Sequence, residues 1–445
     1  ECLLTDSRSL VFPETTLFFA LRTGTGDGHR YIADLYRRGV RNFVVGTLPD
    51  DAQAHYPAAN FLLVASPLQA LQSLTEQHRQ RFDIPVVGIT GSNGKTIVKE
   101  WIYQLLSPSE TVTRSPRSYN SQIGVPLSVW LLNEHSRVAL FEAGISRPGE
   151  MHIISELVCP SAAVVTKIGT AHLMELGSRE NIRDEKLKIQ DGMQKDAYIF
   201  RNADDALLLA GALREDMISR TYGRAETADC RAENVSLVNG CAEFTANIRG
   251  ERVEVKLGVP GEHQVWNALA ALGVAEAYGV PLDGAASELS RFKGYRHRQQ
   301  IFERDGVLVI DDSYNASPDS MRAALSILRE MKDRRRIAVL GDMKELGAEE
   351  KELHREIGAA LAAAEGADCV FTLGELAGEL AEAFRAHCKA PYSPELGCFS
   401  EREELFEVLK EKVKPGDAIL FKASNSMKFS ELADYFSGQG ERGAH

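Results

Sequence analysis

Hydrophobic residues in this chain come in short runs whose spacing changes from one region to the next. Over residues 1–82, LFFAL (17–21) and RNFVVG (41–46) are strand-like runs between polar and helical stretches, which predicts a small α/β unit. Beyond FDIPVVGITG (82–91), the β-type runs PVVGIT, RVALFEAG, SAAVVTKIG and DAYIFRN alternate with helical segments. That alternation predicts a mainly parallel sheet covered by helices on both faces. Residues 231–258 switch to period two around NG and RGE turns, the pattern of an antiparallel hairpin inset. After GYRHRQQIFERDG the α/β pattern restarts with VLVIDDS, a helix from Ser317, RIAVLGD, a long charged helix, DCVFTLG and AILFKAS. This second βαβ series is Rossmann-like and of ordinary domain size. The expected organisation is three α/β domains, at 1–82, 83–298 and 299–445.

Composition narrows the class. A chain of 445 residues exceeds what one hydrophobic core usually supports, and 44% hydrophobic with 26% charged residues describes an ordinary water-soluble protein. No apolar run reaches the length of a membrane span. The formal charge of −12 argues against a general nucleic-acid or anionic-membrane binder, while leaving room for an anionic small substrate at a local positive site. The seven cysteines are odd in number, scattered and without a C-x-x-C pair, so they are expected to be reduced thiols in a cytoplasmic protein. A monomer is expected.

The chemistry is concentrated in GITGSNGKT (88–96). A strand ending at Thr90, a glycine-rich turn (Gly91, Asn93, Gly94) and a helix beginning near Lys95 aim several backbone N–H groups at one point, where phosphate oxygens are stabilised. Lys95 would reach the terminal phosphates and the Thr96 hydroxyl would ligate Mg²⁺. Ile89 stands where the general G-x-x-x-x-G-K-[ST] pattern has its first glycine, with Gly88 one place earlier. TKIG (166–169) lacks the aspartate of a base-reading N-K-x-D, which disfavours a GTPase. Two readings stay open on the loop alone: an ATP-driven ligase, and a phosphotransferase or nucleotide switch.

Further stretches resemble the Mur ligase family over nearly the whole chain: TDSRSLVFPETTLFFAL and DGH (27–29), SYNSQIGVPLSV (118–129), GEHQVWNALAALGVA (261–275), DDSYNASPDSMRAAL (311–325) and LGDMKELG (340–347). The first domain and RSPRSYNSQIGVP also resemble the ligase half of a ligase–alanine racemase fusion. The resemblance implies a central P-loop ATPase-type domain and an ATP-dependent amide ligation. A carboxylate of UDP-N-acetylmuramoyl tripeptide is phosphorylated, and the amine of D-alanyl-D-alanine attacks the acyl phosphate. A ligase adding a different amino acid is the alternative within the family.

The same resemblance assigns residues. Glu142, at the carboxyl edge of its strand, would bind Mg²⁺, and His172 a second Mg²⁺. Lys186, fourteen residues further on, matches a lysine the family carbamylates, although its place in the charged helix RENIRDEKLKI suits a solvated face. Asn120 and Ser121 would face the muramoyl substrate or its metal, with Arg114 and Arg117 nearby. Asn267 would contact adenine, where the family's H-N is His263-Gln264 here. Arg298, with Arg296 two places away, would contact the ATP phosphates, and Asp312 the ribose; period two lets only one of Asp311 and Asp312 face the nucleotide. Tyr314, Asn315, Ser317 and Pro318, with Asp342, Met343, Glu345 and Leu346, would line the dipeptide cleft. At Lys422-Ala423-Ser424-Asn425 the family's K-G-S-R loses its arginine. Ser7, Arg8, Asp27 and His29 would contact the UDP portion.

Overall fold

The computed structural model describes residues 2–24 and 26–439. Three main sheets organise the chain. The first is a four-stranded parallel sheet in the order Cys2–Leu4, Thr16–Phe19, Asn42–Val45, Asn60–Leu63. Its two outer strands have no counterpart in the sequence reading: Cys2–Leu4 is very short, and Asn60–Leu63 lies at the edge with Leu62 and Leu63 more than half exposed.

The central sheet has nine strands. Its parallel part runs Ile218–Gly223, Tyr198–Asn202, Ala162–Val165, Val86–Thr90, Val138–Glu142, Val112–Arg114. Alternation along Val86–Thr90 serves both faces: Val87 and Ile89 join the core beneath Trp101 and Leu269, while Val86 packs with Phe141 and Met151 on the other side. This two-sided burial is why parallel strands appear in sequence as continuous apolar runs. The period-two segment forms the antiparallel strands Cys230–Val238, Cys241–Ile248 and Glu251–Pro260, which extend the sheet at its edge rather than standing as a separate inset.

The third sheet runs Gln300–Arg304, Val307–Asp311, Asp417–Lys422, Arg335–Gly341, Cys369–Leu373, Glu395–Phe399, parallel except for its first strand. The helix expected from Ser317 is Pro318–Arg329, with Ser317 as its N-cap and Ser320 completing a capping box. Contacts join this part to the central one beside the glycine-rich loop. Lys167 Nζ meets Asp319 Oδ1 at 3.0 Å, Ser317 Oγ lies 3.2 Å from Asn93 Oδ1, and His172 Nδ1 lies 2.7 Å from Glu345 Oε2. Among the described residues no helix is long and apolar enough to cross a membrane.

Candidate functional site

The glycine-rich loop leaves the strand Val86–Thr90 and enters the helix Lys95–Leu106. Gly91 and Gly94 have φ of 136° and 88°, in the region that disfavours side chains. Space is equally restrictive, since a Cβ on Gly91 would lie 1.9 Å from Thr166 Oγ1 and one on Gly94 would lie 2.5 Å from Asn267 Oδ1. The loop is tied to the neighbouring strand end by Ser92 N–H to Lys167 O at 2.7 Å, and by the Thr166 hydroxyl to Asn93 O. Lys95 Nζ donates to Gly91 O at 2.7 Å, so its side chain curls back over the loop it would serve. Desolvation pushes its amine down to about 8, opposed by Glu142 and reinforced by Arg298.

Beside the loop, register pairs Ile89 with Glu142 on the adjacent strand. The Glu142 carboxylate is fully buried. It accepts the Thr96 hydroxyl at 2.9 Å on Oε2 and Asn120 Nδ2 at 2.8 Å on Oε1. Ser118 Oγ lies 3.2 Å from Thr96 Oγ1 and accepts Arg298 Nη2 at 3.0 Å. The Arg298 guanidinium stacks over the Tyr314 ring at 3.9 Å. Arg296 instead reaches Asp434 at 3.2 Å, which resolves the two-residue ambiguity in register: Arg298 is the arginine beside the loop.

The structure brings together most of the residues singled out in the second and third domains. His172 caps the turn Leu173–Leu176 with φ 64° and meets Glu345, which follows a strand of the third sheet. Lys186 departs from the solvated face expected of a charged helix: it is 1% exposed, whereas the partly exposed Lys188 pairs with the buried Glu185. Burial and the nearby Lys95 hold the Lys186 amine well below the ordinary lysine value. Its helix, Arg179–Leu187, turns Lys186 inward together with Ile182, Glu185 and Leu187, which charge counting along the sequence cannot show.

Asn267 lies against Gly94, with Nδ2 donating to Gln264 Oε1 at 2.9 Å. The strand Val307–Asp311 ends at Asp311. Asp311 and Asp312 do diverge: Asp311 accepts from His297 and Ser313, while Asp312 forms a buried ion pair with Lys422. Lys422 also donates to Asn315 O at 3.1 Å, and Asn425 to Tyr314 O at 3.0 Å.

Several other side chains are engaged elsewhere. Ser121 Oγ accepts Gly124 N–H at 3.2 Å and fastens its own loop. Arg114 is occupied by Glu100 at 3.2 Å and by the Tyr103 ring at 3.3 Å. Asp342 accepts Ala377 N–H at 2.8 Å and pairs with Lys344 at 2.7 Å, anchoring its turn. In the first domain, Arg8 pairs with Asp6 at 2.6 Å and Ser7 O accepts Arg38. Asp27 Oδ1 meets His29 Nδ1 at 2.5 Å while His29 Nε2 accepts Gly46 N–H at 3.1 Å, which places the ring proton on Nδ1. The His29 backbone N–H is the main cause that holds Asp27 down to about 2.

Sequence reasoning missed two residues of this site. Ser118 was quoted only as the start of a motif, and Lys99 stood unremarked in the helix after the loop. Its spacing of four from Lys95 was the available signal, because that places both on one helix face.

A loop of this geometry can hold a polyphosphate against main-chain N–H groups, beside a hydroxyl–carboxylate pair suited to a hard cation. Comparison with known proteins agrees. The Mur ligase middle domain matches residues 89–275, and the Mur ligase, glutamate ligase domain matches residues 297–425. The UDP-N-acetylmuramoyl-tripeptide–D-alanyl-D-alanine ligase of Bacillus subtilis is 34% identical over 431 residues, covering 96% of this chain and 91% of the relative. MurF from Acinetobacter baumannii superposes with a TM-score of 0.84 at 28% identity, covering 98% of this chain and 93% of that one. MurF from Thermotoga maritima, solved in complex with ADP, superposes with a TM-score of 0.82 at 27% identity, covering 100% and 98%. On the loop geometry and this full-length similarity, the chain belongs to the Mur ligase family and is an ATP-dependent ligase.

Proposed function

We propose that this chain joins D-alanyl-D-alanine to UDP-N-acetylmuramoyl tripeptide in peptidoglycan precursor synthesis, in the cytoplasm, forming ADP and phosphate. The observation that carries the reading is the nucleotide loop with Lys95, Thr96 and Glu142 in contact range, within a chain similar end to end to ligases of that name. A carboxylate is a poor electrophile; transfer of the γ-phosphoryl group gives it a leaving group, and the dipeptide amine then displaces phosphate. The chain's part is to hold two anions and an amine in line and to meet developing charge with fixed donors.

The assignments follow from position. Loop N–H groups at Gly91, Asn93 and Gly94, with Lys95 and Arg298, take the phosphates. Asn267 takes the adenine side and Asp312 the ribose side. Thr96 Oγ1 and Glu142 Oε2, 2.9 Å apart, are hard oxygen donors that fit Mg²⁺, and His172 would serve a second ion. Bound there, Mg²⁺ supplies neutralisation of the polyphosphate.

Lys186 fits a carbamate. Burial disfavours the ammonium form, and the neutral amine is the form that reacts with CO₂, losing one proton as the N–C bond forms; the product is an anion beside Lys95. The first domain, with Ser7, Arg8, Asp27 and His29, takes the UDP end. Asn120, bonded to Glu142, borders the muramoyl peptide, and Ser121 shapes that loop through its bond to Gly124 N–H. Tyr314 and Asn315 border the dipeptide cleft of the third domain.

Phosphate release is the direct test. Release from ATP should require both the UDP-muramoyl tripeptide and D-alanyl-D-alanine, and Lys95→Ala should abolish it. Release that proceeds without the dipeptide would support a phosphotransferase or switch instead.

A further inference from the structure

Lys99 is a lysine with no exposed surface, one helical turn beyond Lys95. A buried ammonium is costly unless its three N–H groups are met. Here Nζ donates to Ser115 O at 2.8 Å and to Arg117 O, and lies 3.2 Å from Glu100 Oε1 and 3.8 Å from Glu142 Oε2. Two of these partners are main-chain oxygens of one segment, 115–120, which crosses the site without regular structure between the strand Val112–Arg114 and the helix Gly124–Val129. Arg117 is held at φ 51°, a conformation few side chains adopt freely.

The same segment carries Ser118, which bridges Thr96 and Arg298, and Asn120, which bonds Glu142. Its start is pinned to the adjacent strand by Glu142 N–H to Ser115 Oγ at 3.1 Å. Glu100 has a second cation, Arg114 at 3.2 Å. Among the described residues no such substitute is in contact with both the Ser115 and Arg117 carbonyls, whose common donor is Lys99.

We infer that Lys99 is a positioning residue for nucleotide binding: its ammonium clamps segment 115–120 to the loop helix and so sets Ser118 between Thr96 and Arg298. The inference rests on the reading of Gly91–Thr96 as a nucleotide loop. Lys99 has no exposed surface and is spent on the Ser115 and Arg117 carbonyls, so its effect passes through the segment it holds. Its loss therefore weakens nucleotide binding more than it slows turnover at saturating nucleotide.

The test is calorimetric titration of the full chain with ADP and Mg²⁺. Wild type must bind; if it does not, the nucleotide reading fails and not this inference. Lys99→Met, of similar length and without donors, is expected to bind at least about tenfold more weakly, as loss of charge-assisted hydrogen bonds implies. Its kcat at saturating ATP should stay within about threefold of wild type. Ser118→Ala should show a comparable affinity loss at unchanged melting temperature. The double variant should be no more than about twofold weaker than the weaker single variant, because both act through one segment. Folded Lys99→Met with wild-type ADP affinity, or losses that multiply in the double variant, would overturn the inference. Should Lys99→Met not fold, Lys99→Gln replaces it in the same cycle with the same two outcomes.

Discussion

Buried ionisable side chains define this site residue by residue. Glu142, Lys99, Lys186 and the Asp312–Lys422 pair are all withdrawn from water around or near one loop, and each has a partner that answers its charge or a cause that disfavours it. His263, half-buried beside Gln264, shows the second case. Its burial pushes the imidazole down from 6.5 to about 4, although Gln299, 3.0 Å away, favours the protonated form. Between those two values the unfolded chain binds a proton that the folded chain refuses, so the unfolded state holds more protons and stability falls as pH falls from about 6.5 to about 4. The contribution of this one residue is up to roughly 3 kcal/mol across the window. Denaturant midpoints measured from pH 7 to pH 4 should therefore decline less steeply in His263→Gln than in wild type. Parallel declines would contradict the assignment. Sequence alone gave the position of this histidine, beside Gln264 in a motif, but not its burial. Arg298 was similarly ambiguous until the stacking on Tyr314 distinguished it from Arg296.

At the scale of elements, the loop works because a strand end, a turn and a helix start are fixed against Thr166 and Asn267. Gly91→Ala would place a methyl group inside the Thr166 hydroxyl while holding a positive φ that alone costs roughly 1–3 kcal/mol. We expect a lower melting temperature and loss of ADP binding by calorimetry; a variant that melts and binds like wild type would contradict the described loop. The central strands were legible because burial on both faces leaves uninterrupted apolar runs, as in Val86–Thr90 and Ala162–Val165. Edge strands were not. Glu395–Phe399 and Gln300–Arg304 are mostly half-exposed, carry Glu and Arg, and owe their extended form to pairing with distant strands that no local pattern reveals. The hairpin was visible from its period and turns, but its attachment to the parallel strands through Tyr222 and Cys230 is a long-range matter.

For the whole molecule, the third part of the chain meets the nucleotide loop through Ser317 on Asn93, and the segment after the strand Ala162–Val165 through Asp319 on Lys167 and Glu345 on His172. The described arrangement thus brings the motifs proposed for the dipeptide against the loop proposed for the phosphates, which suits an acyl-phosphate mechanism, since the amine must reach a carboxyl carbon activated beside that loop. Single-sequence motifs located both halves; their contact depends on the link around Arg298, where His297 and Gln299 both take positive φ and turn the chain between the two sheets. The account's central claim is that the γ-phosphoryl group passes onto the peptide carboxylate. It is tested by turning over UDP-muramoyl tripeptide labelled with ¹⁸O in its terminal carboxylate, together with ATP and D-alanyl-D-alanine, and weighing the released phosphate by mass spectrometry. One ¹⁸O per phosphate is the predicted result, and unlabelled phosphate accompanying amide formation would contradict it.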